Sequence, residues 1–482
     1  MKTRTLKSIL SGVNPIKIIG ERSIKIDSVY FDSRKAKSGG LFVAIKGTKD
    51  DGSRFIDDVI KKGVRVIVHD TPAQNIKPGV TYILVKNSGT ALAMIAQNFY
   101  DNPSKKLKLV GVTGTNGKTT TATMLFKLFR SLGFKTALLS TIENKINEKS
   151  FPATHTTPDP VSLAQFLALA VEKGCTHAFM ECSSHAIDQK RIGGLSFAGA
   201  IFTNLTLDHL DYHKTLKAYA KAKKTLFDNL SKNAFAIANS DDKFGKYMLR
   251  DTKARKLFFS LKKGSDFQGR ILSQSLDGSE LLINKKEVKT KTSGRFNAYN
   301  TLGIFATAKK LGVTQNKIMR SLKTLTPPEG RLQIIKSKKG VYGVIDYAHT
   351  PDALSNVLKT LKGILGRNHK IVTVVGCGGD RDKSKRPVMG RIACQLSDYV
   401  YFTNDNPRSE HEESILKDIT YKLKGDHFEI ESDRAKAISK ACKKAKSGDV
   451  VLVAGKGHEN YQILQDRTVH FSDLEELKKN FK

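Results

Sequence analysis

Gly111-Val-Thr-Gly-Thr-Asn-Gly-Lys-Thr-Thr120 stands between a β-branched-rich run, Leu107 to Val112, and a stretch in which Ala122, Leu125, Phe126, Phe129 and Leu132 recur at helical spacing until Gly133. Strand, glycine-bearing loop and helix in that order predict a parallel sheet whose loop holds phosphate. Glycines let the backbone curl so that its N–H groups point inward, and the helix N-terminus adds partial positive charge. Gly114, Thr115, Asn116, Gly117, Lys118, Thr119 and Thr120 are therefore the candidate ATP phosphate site, with Lys118 at the β- and γ-phosphates and the Thr119 hydroxyl on Mg²⁺. The spacing departs from the standard pattern, because Val112 stands where the first glycine should fall. A purely structural glycine turn is the competing reading, and the strand–loop–helix setting weighs against it.

Working outward from that loop, further strands are expected at Ala137 to Ser140, Ala178 to Met180, Ala200 to Phe202 and Ala234 to Ile237. Strands alternating with helices imply a largely parallel sheet covered on both faces. Upstream, Asp101-Asn102-Pro103-Ser104 reads as a linker, since Pro103 disfavours helix at the residue before it. Before it, the short apolar runs Leu41 to Ile45, Val64 to Val68 and Tyr82 to Val85 suggest a small α/β unit. Downstream, Pro327-Pro328 offers another boundary. Beyond it Val341 to Ile345, Ile371 to Val375, Tyr399 to Phe402 and Val450 to Val453 are strand-like, separated by helical stretches such as Ala353 to Leu365 and Arg434 to Ala445. The fold expected is α/β in three domains: residues 1–104, a central P-loop-type parallel-sheet domain over 105–327, and a Rossmann-like domain over 328–482. The run Lys253 to Lys263 reads as a solvated basic face.

Composition narrows the function classes. A chain of 482 residues exceeds a single core. No stretch approaches the ~20 apolar residues that cross a bilayer, and the basic N-terminus lacks a secretory apolar run, so a cytoplasmic protein is expected. Five widely spaced cysteines without a CxxC pair argue against disulfides or structural zinc. Eighty-two Lys and Arg against 46 Asp and Glu leave a charge of +36, which attracts any polyanion. The basic residues are scattered and the chain has no Trp for stacking bases, so specific nucleic-acid binding is not expected.

The reading Thr113-Gly-Thr-Asn-Gly-Lys-Thr-Thr120 is similar to the nucleotide loop of the Mur ligases, and the resemblance continues along the chain. Asp32-Ser33-Arg34, Gly40-Leu-Phe-Val-Ala44 and Asp51-Gly52 resemble that family's UDP-binding domain, which implies a uridine-diphosphate contact for Ser33. Thr156-Thr-Pro-Asp159 resembles the muramoyl-peptide loop, carrying Thr156 and Thr157. Glu181-Cys-Ser-Ser-His185 resembles the stretch with a magnesium-binding glutamate, which implies that role for Glu181 and substrate contacts for Ser183 and Arg191. Cys182 replaces a common Val. Asn204 to His213 and Tyr219-Ala-Lys-Ala-Lys223 match the next signature, implying a second magnesium ligand at His209 and a carbamylated lysine, N6-carboxylysine, at Lys223.

In the last domain, Gly294-Arg-Phe-Asn-Ala-Tyr-Asn300 resembles the adenine-side stretch, implying contacts from Asn297 and Asn300. Gly330-Arg331 resembles the arginine that reaches the ATP phosphates, and Asp346-Tyr-Ala-His-Thr-Pro-Asp352 the strand end that meets the ribose. Asp405-Asn-Pro-Arg408, with Gly455-Lys-Gly-His-Glu459 and Arg386, implies a pocket for meso-diaminopimelate formed by Arg386, Asp405, Asn406, Arg408, Gly455 and Glu459. Arg408 can pair with the distal carboxylate that lysine lacks. The implied activity is an ATP-dependent peptide synthase that activates a carboxylate as an acyl phosphate. Lys118, Lys223, His209 and Arg331 are its implied catalytic residues, with two magnesium ions and small-molecule substrates acting on a monomer. The rival readings are a lysine-adding or folylpolyglutamate-type ligase and, in another class, a nucleic-acid-dependent ATPase.

Overall fold

The computed structural model describes residues 3–482 apart from 48–49, 73–74, 154 and 367. Its framework is three α/β units, each with one main sheet. Among the described residues no helix is long and apolar enough to cross a membrane.

The phosphate-loop strand, Lys108–Thr113, is the centre of the largest sheet. It pairs in parallel with His177–Glu181 on one side and Gly199–Phe202 on the other. Thr136–Leu139 extends the parallel run on one flank, and Phe235–Asn239, Arg255–Ser260 and Phe267–Ser275 on the other. One face is covered by the helices Lys118–Ser131 and Arg295–Lys310, whose Leu125, Phe129, Leu302 and Phe305 interlock over Val110, Val112 and Phe179. The other face is closed by Pro160–Glu172 and Leu216–Asp228 through Leu163, Leu167, Tyr219 and Phe227. Burial on both faces is what a parallel sheet requires, and it explains the near-continuous apolar reading of its strands.

Two features depart from the sequence reading. The run Lys253 to Lys263 is not a solvated face throughout. It contains the strand Arg255–Ser260, where Leu257 and Phe259 are 5% and 1% exposed while Arg255 and Lys256 point outward. The sheet also ends in antiparallel ribbons at both edges: Glu143–Ile146 with Lys149–Pro152, and Phe267–Ser275 with Gly278–Ile283 and Lys286–Thr290. Asn284 and Lys285 turn the last hairpin with φ of 45° and 68°, the two-residue geometry that matches strand twist.

The N-terminal unit has a five-stranded sheet in the order Lys17–Ile19, Thr81–Leu84, Val66–His69, Gly40–Val43, Ser28–Tyr30, antiparallel only at the first pair. The C-terminal unit has a six-stranded sheet: Gln333–Lys336, Tyr342–Asp346, Val450–Ala454, Ile371–Val375, Tyr399–Phe402, Phe428–Ile430. Its last five strands are parallel, so the segments that follow Asp346, Val375, Phe402 and Ala454 all leave at one carboxyl edge.

A fully buried ion pair braces that edge. Arg434 donates to Asp473 from Nε at 2.7 Å and Nη2 at 2.8 Å, and its remaining donors reach the carbonyls of Asn404 and Ala454. Both side chains are 0% exposed. Removing one partner strands the other charge away from water. Asp473→Ala is therefore expected to destabilise the C-terminal unit by about 3–5 kcal/mol, read as a lowered denaturant midpoint for its unfolding.

Candidate active site

The phosphate loop closes on itself through two glycines that no other residue could replace. Gly117 precedes the helix Lys118–Ser131 at φ +86°, and a Cβ there would fall 2.4 Å from Asn300 Oδ1. Gly114 lies at φ +152°, and its Cβ would fall 1.9 Å from Thr203 Oγ1. Lys118 folds back over the loop and donates from Nζ to the carbonyls of Gly114 at 3.0 Å and Thr115 at 2.8 Å. Burial lowers its pKa, against the opposing pull of Glu181 and Asp208. Thr120 is buried on the first turn of the same helix.

The Thr119 hydroxyl donates to Glu181 Oε2 at 3.0 Å and accepts from Arg331 Nη2 at 3.3 Å. Glu181 is fully buried at the end of its strand, its other oxygen held by the Thr141 N–H at 2.7 Å. Lys223, 1% exposed, reaches Gly114 O from the opposite side at 2.9 Å and packs its Nζ 4.4 Å from the Tyr219 ring centroid. Burial, with Lys118 beside it, drives the Lys223 pKa well below the ordinary lysine value. His209 sits at φ 53° ahead of the turn Leu210–His213, its ring against His185 and Tyr219. Burial lowers its pKa to about 4, so the imidazole is neutral, the form that binds metal.

Among the described residues no three His, Cys, Asp or Glu side chains converge as a ready cation site. The hard-oxygen pair of Glu181 and Thr119 suits Mg²⁺, which keeps its remaining positions for water and phosphate. Lys223 as a free amine offers no ligand; only its carbamate would.

Thr156, Thr157, Ser183 and Arg191 gather on the flank of Glu181. Thr157 Oγ1 donates to the Glu181 carbonyl at 2.8 Å and accepts from Ser183 N at 3.1 Å. Arg191 Nη1 donates to Thr157 O at 3.2 Å, and Thr141 Oγ1 donates to Thr156 Oγ1 at 3.1 Å. Ser33 belongs to the N-terminal unit, where its carbonyl accepts from Lys62, and lines neither of the two cavities described next.

A cavity of 560 Å³ opens between the central and C-terminal units, walled by Asn116, Gly117 and Thr120, by Asn297 and Asn300, and by Arg331 and Asp346. Asn300 Nδ2 donates to Asn297 Oδ1 at 3.2 Å, and Asn297 to Ser293 O at 2.8 Å. Arg331 stacks over Tyr347 at 4.5 Å. Asp346 accepts the Leu332 N–H at 2.6 Å, and burial raises its pKa to about 6. Asp352 accepts from Asn116 Nδ2 and Thr206 Oγ1, both at 3.0 Å, tying the C-terminal unit to the loop.

A second cavity, of 1140 Å³, continues from the first along His209, Asp208 and Lys385 to Asp405, Asn406, Arg408, Gly455 and Glu459. Arg386 does not reach it. Its side chain is 0% exposed and spent on Glu410 at 2.8 and 3.0 Å, Asp418 at 2.9 Å and the Gly378 carbonyl. Arg386 thus supports the pocket from behind, while Arg381, five residues earlier, lines the cavity. Lys456 also escaped the sequence reading. It is completely buried, donating to Asn406 Oδ1 at 3.1 Å and Glu459 Oε2 at 3.3 Å, so Glu459 already faces an internal ammonium. Arg408 Nη1 donates to Gly379 O at 2.8 Å. A lysine among glycines, at the end of a strand of five buried residues, was the available signal.

Comparison with known proteins agrees with this architecture. Family models match in three blocks: the catalytic domain of the Mur ligase family over residues 25–100, the Mur ligase middle domain over 112–308, and the Mur ligase glutamate ligase domain over 330–457. The chain is 48% identical over 472 residues to the UDP-N-acetylmuramoyl-L-alanyl-D-glutamate–2,6-diaminopimelate ligase of Cytophaga hutchinsonii, covering 97% of each chain. It is 48% identical over 480 residues to that of Bacteroides fragilis, covering 99% of each. A solved structure of an enzyme with the same name aligns with TM-score 0.73 and 30% identity, over 100% of this chain and 99% of that one. With matches in all three units and relatives aligned along nearly its whole length, the chain belongs to the Mur ligase family.

Proposed function

We propose that this chain is the ATP-dependent ligase that adds meso-diaminopimelate to UDP-N-acetylmuramoyl-L-alanyl-D-glutamate in peptidoglycan synthesis, working as a cytoplasmic monomer. One observation carries the reading: the cavity beside the phosphate loop and the cavity beside Asp405 to Arg408 share a wall, so a triphosphate and an amino acid would meet at one point. The relatives described above are named as ligases of UDP-N-acetylmuramoyl-L-alanyl-D-glutamate and 2,6-diaminopimelate.

In this reading the γ-carboxylate of the D-glutamyl residue attacks the γ-phosphorus of ATP, the bond from that phosphorus to the β,γ-bridging oxygen breaks, and ADP leaves. Lys118 and Arg331 neutralise the charge that develops on the phosphoryl oxygens. The acyl phosphate is then attacked by the amine of diaminopimelate, and phosphate leaves. Magnesium, held by Thr119 and Glu181 and by His209 with a carbamylated Lys223, would supply further charge neutralisation when bound. Thr156, Thr157, Ser183, Arg191 and Ser33 would hold the nucleotide-linked peptide, and Asn297, Asn300 and Asp346 the nucleoside. Arg408 and Arg381 would take the distal carboxylate, with Asp405, Asn406, Gly455 and Glu459 as the remaining walls. The buried, weakly basic Lys223 amine is suited to condense with carbon dioxide, which would place an anion beside the loop.

Protein incubated with ATP, Mg²⁺ and UDP-N-acetylmuramoyl-L-alanyl-D-glutamate should release phosphate with meso-diaminopimelate and not with L-lysine; equal release with both removes the amino-acid assignment. Arg381→Met should raise the KM for diaminopimelate and leave that for ATP unchanged. Arg386→Met should instead lower stability by about 1–3 kcal/mol, because the partly exposed Glu410 and Asp418 lose their shared partner. Intact mass after preparation in bicarbonate should show one added carbon dioxide, absent in Lys223→Ala. That variant should retain ATP binding while turnover falls on the order of 10²-fold.

A further inference from the structure

Six residues line both cavities: Thr206, Asp241, Asp242, Tyr347, His349 and Asp352. Five of them are already engaged within the protein. Asp241 accepts from Ser260, Leu261 and Tyr299, and Asp242 from the N–H groups of Leu205 and Phe244. Asp352 accepts from Asn116, Thr206 and Asn356. Tyr347 donates its hydroxyl to Glu459 at 3.4 Å.

His349 differs. Its Nδ1 lies 2.8 Å from the Tyr347 carbonyl, an oxygen that can only accept, so Nδ1 carries the proton and a neutral ring has its lone pair on Nε2. Among the described residues no hydrogen bond engages Nε2. The backbone on either side is fixed. Lys385 Nζ donates to His349 O at 2.9 Å, and Thr350 caps the helix Pro351–Leu365 that begins at the next residue. The charged groups facing the ring are Lys385 from the helix Lys385–Leu396, Asp208 from the loop after Gly199–Phe202, and Arg331 from the phosphate side. Burial, aided by Lys385 and Arg331 and opposed by Asp208, keeps the imidazole below its ordinary range and hence neutral at pH 7.

We propose that His349 Nε2 is the proton acceptor for the second half of the reaction, positioned where the two cavities meet. This rests on the ligase reading above. The amine nitrogen bonds to the acyl carbon, the carbon–oxygen bond to phosphate breaks, and phosphate leaves with the electron pair. The proton that the new C–N bond makes acidic passes to Nε2, and the resulting imidazolium returns it to water.

The two halves are separable. Positional isotope exchange within ATP, measured with UDP-N-acetylmuramoyl-L-alanyl-D-glutamate and no amino acid, reports acyl-phosphate formation alone; amide formation with diaminopimelate reports the whole. His349→Gln is expected to retain the exchange and lose on the order of 10²-fold or more in amide formation. His349→Ala is expected to behave likewise and to regain amide formation with added imidazole. Undiminished amide formation in both variants overturns the proposal. So does an equal loss of exchange and amide formation without imidazole rescue, which would make His349 a support for the nucleotide site. Wild-type protein that shows neither exchange nor phosphate release overturns the ligase reading itself, and this inference with it.

Discussion

Lys118 and Lys223 approach the same carbonyl oxygen, that of Gly114, from opposite sides at 3.0 and 2.9 Å. Both amines are withdrawn from water, and burial is the main reason that both pKa values fall; Lys118 adds to the effect at Lys223, and Arg331 to that at Lys118. An anion at the loop would favour the charged form of both amines. Much of the central unit serves this convergence. The strand Lys108–Thr113 delivers Gly114 to the sheet edge, Gly114 can take φ +152° only without a Cβ, and Leu216–Asp228 carries Lys223 across from the other face.

The C-terminal unit completes what the loop begins. Arg331 reaches Thr119, and Asp352 reaches Asn116 and Thr206, so the groups at its carboxyl strand edge are registered against the phosphate loop. That registration joins two cavities into a continuous cleft, with the one beside the phosphate loop at one end and the arginine-bearing one at the other.

Much of this framework was legible in the sequence because it rests on local signals. The glycine–lysine loop, the helical spacing of Leu125 and Phe129, and the β-branched runs each report their own surroundings. What escaped depends on partners distant in the chain. Arg381 and Arg386 have identical chemistry five residues apart. Only the packing of Glu410 and Asp418 behind the helix Lys385–Leu396 decides which one is consumed. Lys456 is invisible for the same reason: a lysine reads as solvated until Asn406 and Glu459, brought from another loop and from its own, enclose it. The strand within Lys253 to Lys263 was masked by its charges, since Leu257, Phe258 and Phe259 form a short run without alternation between Arg255-Lys256 and Lys262-Lys263.

The buried pair of Arg434 and Asp473 carries an implication for the cleft, although neither residue lines it. The carbonyls that Arg434 grips, Asn404 and Ala454, immediately precede Asp405 and Gly455 in the arginine-bearing cavity. The helix Asp473–Asn480 is in effect the keystone of that vault. Fusions or truncations that disturb it would loosen the arginine-bearing cavity first, while the glycine–lysine loop, braced by another sheet, stayed in form.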